Sequence, residues 1–338
     1  MYQNLTKDEI LSKLRDPDSS DLFAEADRVR KQYCGDEVHL RAIIEFSNYC
    51  KRDCLYCGLR KSNGKLTRYR MTVDEIFCAA RNAQSLGYQT IVLQSGEDDG
   101  FSTDELCGLV RKIKKELDLA ITLSVGEKTY EEYRAMKEAG ADRYLLKIET
   151  TNPELFKKLK PDSDLEKRSQ CLENLKNLGF QVGSGVMVGL PGQTLEDLTD
   201  DICFFRESDF DMIGIGPFIP HPETPLNQAK KGELNLVLKV VALTRLATLN
   251  AHLPATTAIG TIDPAGRQKA LMCGANIMMP NATPKQYRRF YEIYPNKICI
   301  TENPNDCNSC IQNMLRSLGR KLGAGYGHSL KRSMVKKG

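Results

Sequence analysis

The sequence has no run of about 18 apolar residues, so no segment is long and apolar enough to cross a bilayer as a helix. Met1 to Ile10 is polar and charged and lacks the apolar core of a secretory signal. Charge of one sign is also missing. Lys and Arg total 48 against 44 Asp and Glu, a net +4, which argues for neither nucleic acid nor a membrane surface. No stretch rich in Pro, Gly or Ser divides the chain, so one large unit is expected of the 338 residues. The 12 cysteines lack the spacing of a secreted disulfide framework, and a chain this long does not need one. Together these absences point to a cytoplasmic protein in a reducing compartment, where an oxygen-sensitive metal centre survives.

What is present is Cys50-Lys51-Arg52-Asp53-Cys54-Leu55-Tyr56-Cys57-Gly58, directly after a strand-like run, His39–Phe46. Three thiolates on one short loop can face a common centre. A four-iron cube needs four protein ligands to be closed. Three leave one iron with an open position, as catalytic metal sites do. Zinc sites usually add a second Cys or His pair, and none is nearby; a zinc knuckle and three unconnected thiols are the alternatives. C-x3-C-x-aromatic-C resembles the signature of the radical S-adenosylmethionine (SAM) enzymes, in which the open iron binds the amino and carboxylate groups of SAM.

Residues 1–36 read as a polar helical cap, most periodic from Asp21 to Arg30. From His39 onward, apolar runs alternate with amphipathic stretches. The runs are His39–Phe46, Thr90–Gln94, Ala120–Ser124, Arg143–Ile148, Val182–Val188, Met212–Phe218, Pro254–Ile259 and Ala275–Met279. Alternating strand and helix signals imply parallel pairing with helical crossovers. Eight repeats suit a closed (β/α)8 barrel over residues 37–297; a doubly wound open sheet is the alternative. Residues 298–338 read as a C-terminal appendage, with a glycine-rich, basic tail after Arg320 expected to be loosely held.

Barrel enzymes place reacting groups at the C-terminal ends of strands. The second run ends Gln94-Ser95-Gly96-Glu97-Asp98, where the glycine lets backbone approach a ligand. This resembles the glycine–glycine–glutamate motif of radical SAM enzymes, with Ser95 at the first position. The third run supplies Thr122 and Ser124. In the fourth, alternation puts Lys147 and Glu149 on one face, where two inward charges must pair or bind something charged. Arg168 follows in the next helix and can fork onto a carboxylate. Gly189-Leu190-Pro191-Gly192 is a tight turn that recurs near the adenine in radical SAM barrels. Later come Thr256, Thr257, Met278, Met279, Tyr291 and Tyr294; for the two methionines core packing and ligand contact stay open. Cys299, Cys307 and Cys310 form a second set, read as zinc, a second cluster or no site.

The resemblance extends beyond the loop. Gly35–Arg41, Glu45–Asn48, Tyr69–Thr72, Leu93–Asp98, Gly140–Leu146 and Gly214–Pro222 resemble the HydE family of FeFe-hydrogenase maturases over about residues 20–320. That family is similar to biotin synthase and methylornithine synthase. The resemblance implies a radical SAM barrel that cleaves SAM to a 5′-deoxyadenosyl radical and acts on an iron precursor carrying CO, cyanide and a cysteine-derived ligand. It implies a 4Fe-4S cluster on Cys50, Cys54 and Cys57. Tyr56, Ser95, Gly96, Glu97, Ser124, Glu149 and Arg168 are implied for SAM. Gln94, Thr122, Lys147, Thr256, Thr257, Tyr291 and Tyr294 are implied for the substrate cavity. Cys299, Cys307 and Cys310 fit an accessory-cluster site, 2Fe-2S or 4Fe-4S, expected to lie away from the strand ends that bind SAM. A low-potential electron donor and partner hydrogenase maturases are the implied partners. HydE often has arginine at the position of Lys147, and lysine keeps the charge but loses the planar fork. A methylornithine synthase-like or biotin synthase-like enzyme is the runner-up, and a non-catalytic iron–sulfur carrier the reading after that.

Overall fold

The computed structural model describes residues 5–301 and 304–333. Nine strands appear among them: β1 Glu37–Leu40, β2 Ala42–Ser47, β3 Thr90–Ser95, β4 Ala120–Ser124, β5 Arg143–Leu145, β6 Gln181–Val188, β7 Met212–Pro217, β8 Ile277–Met278 and β9 Lys321–Leu322. Strands β2 to β7 pair in sequence order, all parallel. Single bridges complete the ring: Met212 with His252, Pro254 with Ile277, and Ile43 with Asn281. The barrel therefore closes, with two of its eight members reduced to a few residues.

The helices start where their caps dictate. Thr72, Ser102, Thr129 and Thr194 each accept the N–H three residues on, and Glu75, Glu105, Glu132 and Asp197 reach back to the cap's own N–H. A cap of this kind is worth about 1 kcal/mol. These caps hold the crossover helices Val73–Ser85, Thr103–Glu116, Tyr130–Glu138 and Leu195–Ser208 at fixed starts. The segment between each strand and its cap is then free to build the barrel mouth. Apolar faces of strands and helices meet in one core running from Ile10 to Leu315.

Three expectations need correction. The run His39–Phe46 is two strands, split at Arg41; β1 pairs with β8 and β9, while β2 enters the six-stranded sheet. Pro254–Ile259 is not a strand. Thr256 accepts the Ile259 N–H and starts the helix Thr257–Ile262, so only the bridge at Pro254 remains. The tail after Arg320 is not loose as far as residue 331. Lys321 and Leu322 pair with β1, and Tyr326 and Gly327 carbonyls accept from Arg143 at 2.8 Å and Arg41 at 3.1 Å. Buried arginines need acceptors, and this tail supplies them across the barrel floor.

Candidate functional site

The cysteine loop leaves the end of β2 and is fastened by backbone contacts to its neighbours. Lys51 N–H donates to Glu97 O at 2.9 Å, and Gly96 N–H to Ser47 O at 3.1 Å. A Cβ at Gly96 would overlap Tyr49 O and stand 2.8 Å from Cys50 Cβ, so only glycine lets the end of β3 lie against the first cysteine. On the far side Leu55 N–H donates to Leu159 O at 2.9 Å.

Behind the loop stands a ring of alternating charges. Arg52 donates to Glu97 at 2.7 Å and to Glu127 at 2.6 Å. Arg168 donates to Glu127 at 2.6 Å and lies 3.6 Å from Glu97. Its Nε donates to the Lys147 carbonyl at 2.7 Å. Burial pushes the Glu127 carboxyl up, but the Arg168 charge and hydrogen bond and the Arg52 charge win and hold it below its ordinary range. A Cβ at Gly126 would overlap Glu97, and its φ is +81°. The ring therefore depends on a glycine turn after β4.

These elements enclose a cavity of about 370 Å³ at the C-terminal ends of the strands. Cys50, Cys54, Cys57 and Tyr56 line one side, with Ser95, Gly96, Glu97, Ser124, Glu149 and Arg168 beside them. Gln94, Lys147, Thr256, Thr257, Tyr291 and Tyr294 line the rest. Of the residues that the resemblance implies for SAM and substrate, Thr122 alone is outside this cavity. It lies one inward position below Ser124 on β4 and opens onto a separate small void with Arg41, Arg143 and Met212. Of the two methionines, Met278 is core and Met279 lines the cavity. Asp98 turns away from the cavity and is clamped by Arg70 through two hydrogen bonds of 2.7 Å.

Lys147 and Glu149 share the cavity wall and pair at 2.8 Å. Burial pushes the Glu149 carboxyl up; Lys147, Lys160 and Arg168 together overcome it and lower its pKa. Glu149 holds φ +70°, fixed by its N–H donating to Gly185 O at 2.9 Å. Tyr56 and Met187 pack on a small apolar cluster of Leu155, Leu159, Leu190 and Phe218. Gln193 clamps the Gly189–Gly192 turn beneath it, accepting from Gly189 N–H at 2.8 Å. This is a flat apolar seat beside a charged wall.

Residue-type reasoning missed Arg52, Glu127, Lys160, Glu45 and Lys297. Glu45 is buried on β2, pairs with Lys297 and accepts from Asn281 at 3.1 Å; both Lys297 and Glu45 line the cavity. Inward alternation on β2 was the available signal for Glu45. Cys299 lines this same cavity at φ +65°, contrary to the expectation that the second set lies apart from the mouth. The reason is the short reach from Lys297, which is anchored on β2. Cys310 is exposed on the helix Pro304–Ser317, and the Cys307 side chain lies outside the described residues.

The donor set fits an iron–sulfur cluster. Burial pushes the Cys57 thiol up, and Cys54 and Cys50 push it further; burial also raises Cys50, with the backbone of Arg52 and Glu97 opposing that rise. Thiols so placed become thiolates when a metal takes them, and N–H groups on ligand sulfur are what a cluster uses. The polar wall and the apolar seat fit a ligand with a charged amino-acid end and an aromatic base.

Barrel, three-cysteine loop and charged mouth define a radical SAM enzyme, and the pattern of the Radical SAM superfamily matches residues 44–205. Its cofactors are a 4Fe-4S cluster and SAM. The chain is 56% identical over 306 residues to the FeFe hydrogenase maturase subunit HydE of Thermotoga maritima, covering 90% of this chain and 88% of that protein. It belongs to the HydE family. The 3-methylornithine synthase of Methanosarcina acetivorans is 30% identical over 271 residues, covering 80% of this chain and 76% of that protein. The crystal structure of methylornithine synthase superposes with a TM-score of 0.83 at 25% identity, covering 98% of this chain and 96% of that one. No helix among the described residues is long and apolar enough to cross a membrane.

Proposed function

We propose that this chain works in FeFe-hydrogenase maturation, in the cytoplasm, on a small iron precursor carrying CO, cyanide and a cysteine-derived ligand. The observation that carries this reading is the single cavity lined by Cys50, Cys54 and Cys57 on one side and by Lys147, Thr256, Thr257, Tyr291 and Tyr294 on the other. Its volume, about 370 Å³, is on the scale of small-molecule sites, roughly 300–1,000 Å³.

Cys50, Cys54 and Cys57 hold the 4Fe-4S cluster in this reading. When bound there and supplied with an electron by a low-potential donor, the cluster would provide the one-electron reduction on which SAM cleavage depends. The protein's own residues orient and shield. Tyr56 and the Leu190 cluster seat the adenine. Glu149 and Arg168 hold the polar end of SAM, helped by Ser95, Gly96 and Ser124. Glu97, occupied by Arg52, acts by fixing Arg52 and Arg168 rather than by touching SAM. Tyr291, accepting from Gln94 at 3.2 Å, closes the far wall and excludes water. Cys299, Cys307 and Cys310 are assigned to an accessory cluster, 2Fe-2S or 4Fe-4S, a reading that rests on the family resemblance.

The test is anaerobic reconstitution with the partner maturases and hydrogenase apoprotein. Hydrogen evolution that depends on this chain and on SAM supports the reading. SAM cleavage without hydrogenase activation, together with formation of 3-methylornithine, would transfer the chain to the other relative's chemistry.

A further inference from the structure

Five cationic side chains line the cavity: Arg52, Lys147, Lys160, Arg168 and Lys297. Four of them have carboxylates. Arg52 and Arg168 share Glu97 and Glu127, Lys147 has Glu149, and Lys297 has Glu45. Lys160 is 4% exposed and has no ion-pair partner among the described residues. Its ammonium stands 5.7 Å from the centroid of the Phe156 ring, a weak contact for a charge. Its charge reaches Glu149, a carboxylate already bonded to Lys147, so no carboxylate is bonded to Lys160 itself, a costly arrangement for a buried cation. The fold nevertheless holds it there.

The segment carrying Lys160 is fastened to the cysteine loop. Leu55 N–H donates to Leu159 O at 2.9 Å, and Asp53 N–H to Asp162 Oδ2 at 3.0 Å. Arg52 also donates to the Asp162 carbonyl. Ser163 donates to Glu127 at 2.9 Å, tying the same segment to the charged ring. Lys160 is thus presented to the cavity by the chain that embraces the three cysteines, and its charge is among those opposing the rise of the Cys57 thiol.

We infer that Lys160 is the built-in countercharge of the cluster held by Cys50, Cys54 and Cys57, placed to favour its reduced state. This rests on the assignment of those cysteines made above. One electron from a low-potential donor adds one negative charge inside the cavity, and no bond or proton need move. A fixed cation on the wall of the same cavity, in a site partly screened from water, interacts with the reduced state more than with the oxidised one. Lys160 is a positioning charge, not a group that touches reacting atoms.

The experiment is a redox titration of anaerobically reconstituted protein, followed by the electron paramagnetic resonance of the reduced cluster. The signal is identified as that of the open-iron cluster by its change on adding SAM. Lys160→Met should take up the same iron as the parent and titrate at a more negative midpoint. On the order of tenfold less cluster should be reduced at a fixed donor potential, a shift of ~59 mV for one electron. Lys160→Arg should restore the parental midpoint. An unchanged midpoint in Lys160→Met at equal iron content overturns the inference. So does an unchanged midpoint with weakened SAM affinity, which would make Lys160 a contact to the SAM carboxylate. A parent protein that binds no iron through the three cysteines fails at the earlier assignment instead.

Discussion

The ammonium of Lys147 stands 2.8 Å from the Glu149 carboxylate, on the wall of the cavity that holds the cysteine loop. The strand pattern left two readings open, a pair with Glu149 or a bond to something charged, and the family resemblance gave Lys147 to the substrate. The pair ties Lys147 to Glu149, where it is the largest of the three cationic influences that lower the carboxyl's pKa. Lys147→Met should therefore weaken SAM as well as substrate. A charge-assisted hydrogen bond is worth roughly 1.5–3 kcal/mol, so SAM affinity should fall on the order of tenfold. Equilibrium titration of SAM measures it, and an unchanged affinity would show that Glu149 needs no partner.

Gly126 turns the chain at φ +81° with Glu97 packed where a side chain would begin. Gly126→Ala should destabilise the fold by roughly 2–4 kcal/mol, from left-handed backbone and overlap together. Urea unfolding gives the number. The same variant should loosen the Arg52–Glu97 pair, so cluster loading should fall with stability. A variant with parental stability would mean that the turn can open without disturbing the ring.

Asp201 is fully buried beneath the segment that follows Glu149. Its Oδ1 accepts both the Thr151 N–H and the Thr151 hydroxyl at 2.7 Å, and its Oδ2 has no partner. Burial outweighs the two Thr151 hydrogen bonds and, with Asp197 and Asp200 nearby, raises the carboxyl from 3.8 to about 7. A raised folded pKa gives stability that is whole below the unfolded value and is lost as pH climbs to the folded one. Between about pH 4 and 7 this group alone should remove on the order of 3–4 kcal/mol. Asp201→Asn keeps the acceptor for Thr151 and deletes the titration. Its urea midpoint should exceed the parent's at pH 8 and change less between pH 5 and 8. Parallel pH profiles for the two proteins would remove Asp201 from the account.

The cysteine loop was legible because its chemistry demands one residue type at short fixed spacing. Lys147 and Glu149 were legible because alternation puts two charges on the inward face of one strand end, whereas the roles of Glu149 and Arg168 toward SAM came from the family resemblance. Glu127 was not singled out, since its partner Arg168 is 41 residues away and only the barrel brings them together. Arg52 reads as one more solvated charge inside a loop. Lys160 ends the run Lys157-Lys158-Leu159-Lys160, which looks like an ordinary basic helix end. Lys157 and Lys158 do face solvent, and only the docking of Leu159 on the cysteine loop turns Lys160 inward. Thr122 shows the opposite failure: alternation tells which residues point inward, not how deep they lie. The run Pro254–Ile259 was overdrawn because Thr256 reads equally well as a strand residue and as a helix cap.

The central claim is that Cys50, Cys54 and Cys57 together hold the cluster that cleaves SAM. The direct measurement is 5′-deoxyadenosine formed per protein under strong reductant, in the parent and in Cys54→Ser, with iron counted in both. The parent should form it. Cys54→Ser should form none above background and should lose about four irons, the content of one 4Fe-4S cluster. Native-rate 5′-deoxyadenosine from the Cys54→Ser protein would contradict the account.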